Sequence, residues 1–466
     1  MIYIGVMRFK GIDFSFGFDG GTLELVPCAG EVDKARRLTM RKLESAWAFP
    51  GDPILFEEEF FVLCPRNSGL HLVVFPDCDQ FIPTNYQKGA IHVSIGSYFE
   101  INPEAKITAM RFRSKHLGKC YDDREPVKTG VDFQAGTISA EAVPTVPRGF
   151  AFTFQGATIS ATLFHERKVT VKAGVPPVTI NAVLQLEFGE TDDYGFVRGL
   201  IEVACDALRY CLQTSDAEFD SIELRGSRSV HKAYPPFEEV GSSTGRIGIA
   251  QMSESHGEEI TPAFHIPLGE FEKLDAGMFQ LIADGDLSMG HLVKDEKRNT
   301  WDDARCILLA ASFDYEVDKI YPEGIPHSRE TLDARQLVVE CIDKAVEAAQ
   351  TKKVRDKAQD IAKRLKGIAE GGDSFSSRLY QLYKDRRDIL ASMRPDLDGK
   401  DDFNRMSQRV ERLRNALAHG DLSVSADMMD LDDMIALEKI VLAVQMLRMG
   451  LNDEEAIKAI ETACER

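Results

Sequence analysis

The stretch VTINAVLQLEFGETDDYGFVRGLIEVACDALRYCLQ, residues 178–213, decides how the chain is divided. Its first part, VTINAVLQLEF, is short and rich in β-branched residues, which reads as a strand. From Phe196 onward the apolar residues recur at i, i+3, i+4 and i+7, which reads as an amphipathic helix. The change of period falls near Gly189, and the two sides of it differ along the rest of the chain.

Upstream, short apolar segments follow one another: MIYIGVMRF, TLELVP, LHLVVF, AIHVSIGSYFEI, ITAMRFRS, GTISAEAV, GFAFTF, ATISATLF and KVTVKA. Many alternate apolar with polar residues, and Gly, Pro, Asn or Asp often separates them. That spacing predicts an all-β sandwich or barrel, or two of them. DKARRLTMRKLESAW, 33–47, is the one helical exception. Downstream, FDSIELRG, 219–226, reads as a strand. A polar stretch from about Ser227 to Pro262 reads as a loop or lid holding one more strand, GRIGIAQM.

From Leu268 the pattern is almost wholly helical. WDDARCILLAASFDYEVDKIY, 301–321, is amphipathic. Ser328 caps a long run, 329–370, that ends at Gly371-Gly372. Asp373 or Ser374 restarts a helix through about Ser392, and RPDLDGKDD is a loop. FNRMSQRVERLRNALAH, 403–419, forms a helix closed by Gly420. MMDLDDMIALEKIVLAVQMLRMGL and DEEAIKAIETA complete the series. The fold class is α+β and multidomain: a β-rich, sandwich- or barrel-like N-terminal half followed by an all-α helical bundle. The expected divisions are 1–189, a mixed connecting region 190–267 with a long loop, and 268–466.

Of the 466 residues, 44% are hydrophobic and 28% charged, as in globular proteins generally. A net charge of −19 argues against a broad nucleic-acid or anionic-membrane surface, though not against a small basic site. Nine scattered cysteines, none in a C-x-x-C pair, suggest reduced thiols in a cytoplasmic setting. The N-terminus lacks a basic stretch followed by an apolar run, so no signal peptide is expected. No apolar run approaches the roughly 18 residues of a spanning helix.

RLRNALAHGD, 412–421, holds the candidate chemistry. With Val410 at 0° and about 100° per residue, Met406, Val410, Leu413 and Leu417 form one stripe, the expected buried face. Arg412, Asn415 and His419 cluster on the opposite side, and Arg414 lies at the edge of the stripe. Asn415 and His419 are an i,i+4 pair able to hold one phosphate or carboxylate together. A protonated histidine also suits a helix C-terminus for its own sake, so capping accounts for His419 equally well. A contact between Arg414 and Glu316 across the bundle is one conceivable pairing.

Arg414-Asn415-Ala416-Leu417-Ala418-His419 resembles the signature of the HEPN superfamily, in which Arg, usually followed by Asn, precedes His late in a helical bundle. R-N-x-x-x-H should arise by chance only about a few hundredths of a time in such a chain. The likeness spans roughly 300–450 and leaves the β-rich half untouched. It implies a metal-independent, cofactor-free endoribonuclease in which the RNA 2′-OH attacks the adjacent phosphate. His419 would move protons, Arg414 would neutralise developing charge and Asn415 would orient the histidine. The products would be a 2′,3′-cyclic phosphate and a 5′-OH, and DNA would not be cut. A homodimer with two facing motifs is implied as well.

The overall layout resembles ApeA-like and other abortive-infection proteins of antiphage defence. The β-rich half would then sense a trigger, and tRNA is the expected kind of target. Alternatives are an inactive HEPN-like dimerisation module carrying a protein- or carbohydrate-binding β unit, or a toxin silenced by an antitoxin. Lys352, Lys353, Arg355, Lys384, Arg386 and Arg387 are weaker candidates for holding RNA beside Arg412, and read equally as solvated helix faces. No metal site is expected: ADGDLSMGHLVKDE, 283–296, has Met289 where a calcium loop needs Gly. Asp302-Asp303 and Asp432-Asp433 read as charges at helix N-termini.

Overall fold

The computed structural model describes residues 2–48, 60–85, 88–101, 105–121, 127–132, 137–142, 146–169, 178–228, 245–249, 265–298, 300–369, 373–397, 399–419 and 428–465. The chain forms two compact units, Met1–Gly285 and Asp286–Arg466. The expected β-rich half and helical half are both present.

In the first unit the strands are β1 (Tyr3–Phe9), β2 (Ile12–Phe18), β3 (Thr22–Pro27), β4 (Phe61–Leu63), β5 (His71–Asn85), β6 (Ala90–Ile101), β7 (Ala105–Arg113), β8 (Val127–Asp132), β9 (Thr137–Ala142), β10 (Arg148–Phe154), β11 (Ala157–Val169), β12 (Val178–Thr191), β13 (Ser221–Arg228) and β14 (Gly245–Ile249). Its helices are α1 (Val32–Ala48), α2 (Leu117–Cys120), α3 (Tyr194–Leu212) and α4 (Glu272–Ala283).

Alternation drives the first layer. In β2, Ile12, Phe14, Phe16 and Phe18 are buried, while Asp13 and Ser15 face out. β1, β2, β3, β6, β5 and β4 pair antiparallel in that order. The ring closes back on β1 through the bridge Gly5↔Pro65 and a hydrogen bond from the Arg66 amide to the Ile4 carbonyl, 2.8 Å. Phenylalanines of β1 and β2, with Leu23, Leu25, Leu63, Leu72, Val74, Ile91 and Val93, fill it. Two hairpins use two-residue turns, Lys10-Gly11 and Gln155-Gly156, with positive φ at all four residues; this matches the twist of the flanking strands.

The same sheet continues from β6 through β14-β13-β7-β12-β11-β10. Met110 pairs with Leu186 and Leu224, and Phe112 with Leu184 and Ile222, so apolar residues line up across three strands. α3 is the expected helix but starts two residues before Phe196, with Asp193 accepting from the Phe196 amide. α4 packs on β10, where the Phe279 ring lies 5.0 Å from Phe150 and 5.3 Å from Phe152. β8 and β9 form a separate hairpin. Most of the polar stretch 227–262 lies outside the described residues; its expected strand is present as β14.

The second unit contains α5 (Asp303–Ile320), α6 (Arg329–Glu347), α7 (Lys352–Ala369), α8 (Phe375–Asp385), α9 (Arg387–Met393), α10 (Lys400–Ala418), α11 (Met428–Arg448) and α12 (Asp453–Glu465). α5 packs on α11 and α10, and α10 also packs on α8 and α11. Ser328 and Ser374 cap α6 and α8 as expected.

The single helix expected over 329–370 is instead a hairpin, α6 against α7. Thr351 restarts the chain, its Oγ1 accepting from the Val354 amide at 3.3 Å. Asp373 pins the base, taking His327 Nε2 at 2.7 Å, Arg335 at 3.5 Å and the Ile325 amide at 3.0 Å. The helix expected through Ser392 is likewise broken at Arg386 into α8 and α9. Among the described residues, no helix is long and apolar enough to cross a membrane.

Gly5 sets the closure of the ring. A Cβ there would meet the Phe16 ring at 2.6 Å and the Cys64 carbonyl at 2.9 Å. Gly5→Ala should therefore lower the stability of the first unit by about 1–3 kcal/mol, as overpacking does. Urea unfolding of the full chain, with exchange of the β1 and β4 amides as a local probe, measures it. An unchanged midpoint and unchanged protection would refute this account of the closure.

Candidate functional site

α10 is amphipathic in the phase expected. Phe403, Met406, Val410 and Leu413 are buried and Leu417 is half-buried, while Arg412, Asn415 and His419 are exposed. His419 follows the last helical residue, and its amide donates to the Asn415 carbonyl at 3.0 Å. Helix geometry thus puts Asn415 and His419 on one exposed surface at the C-terminal end. Gly420, the expected closing residue, lies outside the described residues.

Arg414 does not meet Glu316. Its Nη2 donates to Asp314 Oδ2 at 2.9 Å, and the guanidinium carbon stands 5.8 Å from the centre of the Phe375 ring. Asp314 belongs to α5 and Phe375 to α8, so Arg414 occupies a three-helix seam. Asp314 also receives Arg378 at 3.3 Å, and Arg378 reaches Asp318 at 3.0 Å. Burial pushes the Asp314 carboxyl above its ordinary value, against the pull of Arg414 and Arg378.

A second clamp holds the other flank of α10. Arg409 binds Asp433 at 2.7 Å, and Arg394 binds the same carboxylate at 2.5 Å. Asp433 is therefore a buried ion-pair partner and not a helix-end charge; it lies in the second turn of α11. Asp302 does cap α5, accepting from the Arg305 amide. Phasing places Arg409 and Arg414 on opposite sides of the apolar stripe, so the two clamps fix the rotation of α10 about its axis.

Glu316 has its own role on the other side of α5. It is fully buried and takes Gln445 at 3.0 Å, the Ser288 amide at 2.8 Å and Arg448 through a short contact. Ser312, one turn earlier, accepts from Ser288 Oγ at 2.9 Å and shares a hydrogen bond with His291 Nδ1 at 3.3 Å. This polar core registers α5 against α11, and Asp314 with it. Asp286, in the stretch compared with a calcium loop, is taken up by Arg448, Lys319 and Tyr315.

The weaker RNA-holding candidates are spread over other helices. Lys352, Lys353 and Arg355 are exposed on α7. Lys384 lies over the Tyr380 ring, 4.7 Å from its centre. Arg386 binds Asp453 of α12 at 2.7 Å, and Arg387 opens α9. The structure groups Arg412 with Asn415 and His419, and none of the others joins them on α10. The residues that sequence reasoning missed are Asp314, Arg378 and Phe375. Helical phase on α5 was the usable signal, since Glu316 falls on the buried stripe of Leu309 and Phe313 whereas Asp314 is turned away from it, toward the opposite flank.

No family model, no curated protein and no solved structure matches this chain.

Burial, aided by the nearby positive Arg305, pushes the His291 imidazole down to about 4. Below about pH 6.5 the unfolded chain binds a proton there that the folded chain refuses. Stability of the second unit should thus fall as pH drops from about 6.5 toward 4, by at most about 1.4 kcal/mol per pH unit from this group. His291→Phe should flatten that part of the profile. A pH series of urea midpoints for both proteins tests this, and superimposable slopes would count against it.

Proposed function

We propose that the second unit is a metal-independent endoribonuclease of HEPN type, with Arg414, Asn415 and His419 as its working residues. The observation that carries the reading is the exposed Asn415–His419 pair beside an arginine fixed in place by Asp314 and Phe375. The RNA 2′-OH attacks the neighbouring phosphate, forming the cyclic phosphate as the bond to the 5′-oxygen breaks. His419 transfers a proton, Asn415 orients it, and Arg414 bears on the phosphate oxygens that gain charge.

A single motif supplies one histidine and one arginine, so a complete site pairs two copies of the chain. A short single-stranded element such as a tRNA loop suits an acidic protein better than bulk RNA. The β-rich unit restrains or triggers the nuclease, in the manner of an abortive-infection effector of antiphage defence.

The Arg414–Asp314 ion pair favours a second reading, in which Arg414 is a structural tie and the helical unit is an inactive module. One assay separates the two. Purified protein is incubated with total tRNA in EDTA, beside Arg414→Ala and His419→Ala. The nuclease reading expects cleavage by wild type, ends carrying 2′,3′-cyclic phosphate, and loss of at least ~100-fold in either variant. His419 is exposed, so the His419→Ala variant should keep its melting temperature. Absence of cleavage, with a lowered melting temperature in Arg414→Ala alone, supports the structural reading instead.

A further inference from the structure

Asp314 stands between two arginines. Its Oδ2 takes Arg414 Nη2 at 2.9 Å, and its Oδ1 takes Arg378 Nη1 at 3.3 Å. Arg378 also holds a second carboxylate, Asp318, at 3.0 Å. Asp314 and Asp318 are an i,i+4 pair on α5, so Arg378 of α8 spans both, while Arg414 of α10 reaches only the first. Among the described residues the Arg414 guanidinium makes no other hydrogen bond, which leaves most of its N–H fork unused.

A carboxylate and a phosphodiester make the same demand on a guanidinium: each is an anion that accepts from its fork. The Arg414 side chain is 37% exposed and open to a ligand, whereas that of Asp314 sits deeper, at 22%. Asp314 and a phosphate cannot both hold the same donor, and an ionised Asp314 also repels an arriving phosphate. Arg378 acts in the other direction. By sharing Asp314 it spreads the carboxylate's attraction over two cations, and it stays in place when Arg414 leaves. We propose that Asp314 is an internal competitor for the phosphate of bound RNA at Arg414, and that Arg378 sets how strongly it competes. Both are positioning residues, since neither touches the RNA. This assignment rests on the nuclease reading of Arg414, but it is measured first as affinity, which needs no cleavage.

The probe is a fluorescein-labelled 2′-O-methyl RNA with the sequence of a tRNA anticodon loop, which lacks the attacking hydroxyl and is not cut. Its anisotropy is followed with the full chain, Asp314→Asn, Arg378→Gln and the double variant. Asp314→Asn keeps the shape of the side chain and removes its charge, so the dissociation constant should fall about fivefold. Arg378→Gln leaves Asp314 to Arg414 alone, so the constant should rise about fivefold. In the double variant the competitor is gone, and the constant should match that of Asp314→Asn. Simple loss of structure would move both single variants the same way, and direct contact of Arg378 with RNA would cost the same in both backgrounds. On cleavable tRNA the same variants should shift KM and leave kcat unchanged. The proposal is overturned if Asp314→Asn binds no tighter than wild type, or if Arg378→Gln weakens binding equally with and without the Asp314 carboxylate. Should Arg378→Gln fail to fold, Asp314→Asn alone decides. Opposite affinity shifts with no cleavage by any of the proteins would sink the nuclease reading and leave the competition at Arg414 standing. Cleavage of tRNA with no affinity shift would do the reverse.

Discussion

A carboxylate with no solvent exposure sets the arrangement of the helical unit. Burying an unpaired charge costs several kcal/mol, so Glu316 folds only with its partners in place. Those partners come from the segment before α5 and from the end of α11: the Ser288 amide, Gln445 and Arg448. The requirement fixes α5 in both depth and rotation. Asp314, two residues earlier, is turned by about 200° and so points to the opposite flank. There it receives Arg414. A stabilising interior contact and the geometry of an exposed motif are in this way two faces of one helix.

The same logic governs α10. Its apolar stripe alone leaves some freedom of rotation, because Leu417 is only half-buried near the C-terminus. Two ion-pair clamps remove that freedom. Asp433 is 1% exposed and shared by two arginines, so it is the stiffer of the two. Asp314 is more open, and its pair with Arg414 is the looser end. The motif therefore sits where the helix is least tightly bound, one turn beyond its last fully buried residue, Leu413.

What was legible in the sequence was whatever depends on period. Alternation marked TLELVP as a strand, now β3, and a period near 3.6 gave the buried face of α10, whereas IDFSFGF, which alternates as cleanly and forms β2, was not singled out. Partner choice was not legible, because phase tells which side a residue occupies and not what stands opposite. Glu316 and Asp314 both lie in FDYEVDK, and only the packing of α5 on α11 and α10 decides which of them Arg414 meets. The break between α6 and α7 was hidden for a different reason. Ala-Ala-Gln-Thr contains no Gly or Pro, so the helical pattern runs on through it; Thr351 acts there as a cap of the kind recognised at Ser328. Closure of the six-stranded ring rests on a pairing between residues 5 and 65, which no local pattern encodes.

The pairing of Arg414 with Asp314 also bears on how a phosphate would be received. Half-exposed ion pairs contribute only about 0–1 kcal/mol, because water screens them and ordering two side chains costs entropy. A phosphodiester offers the guanidinium two oxygens in matching geometry, and hydrogen bonds to charged groups are worth about 1.5–3 kcal/mol. Exchange of Asp314 for phosphate is therefore not energetically forbidden, even though Arg414 is already paired. Asp314 would keep Arg378 as a partner, 3.3 Å away, so loss of Arg414 would not leave its carboxylate without a cation. Asp314, with the Phe375 ring, holds Arg414 in the seam between α5, α8 and α10.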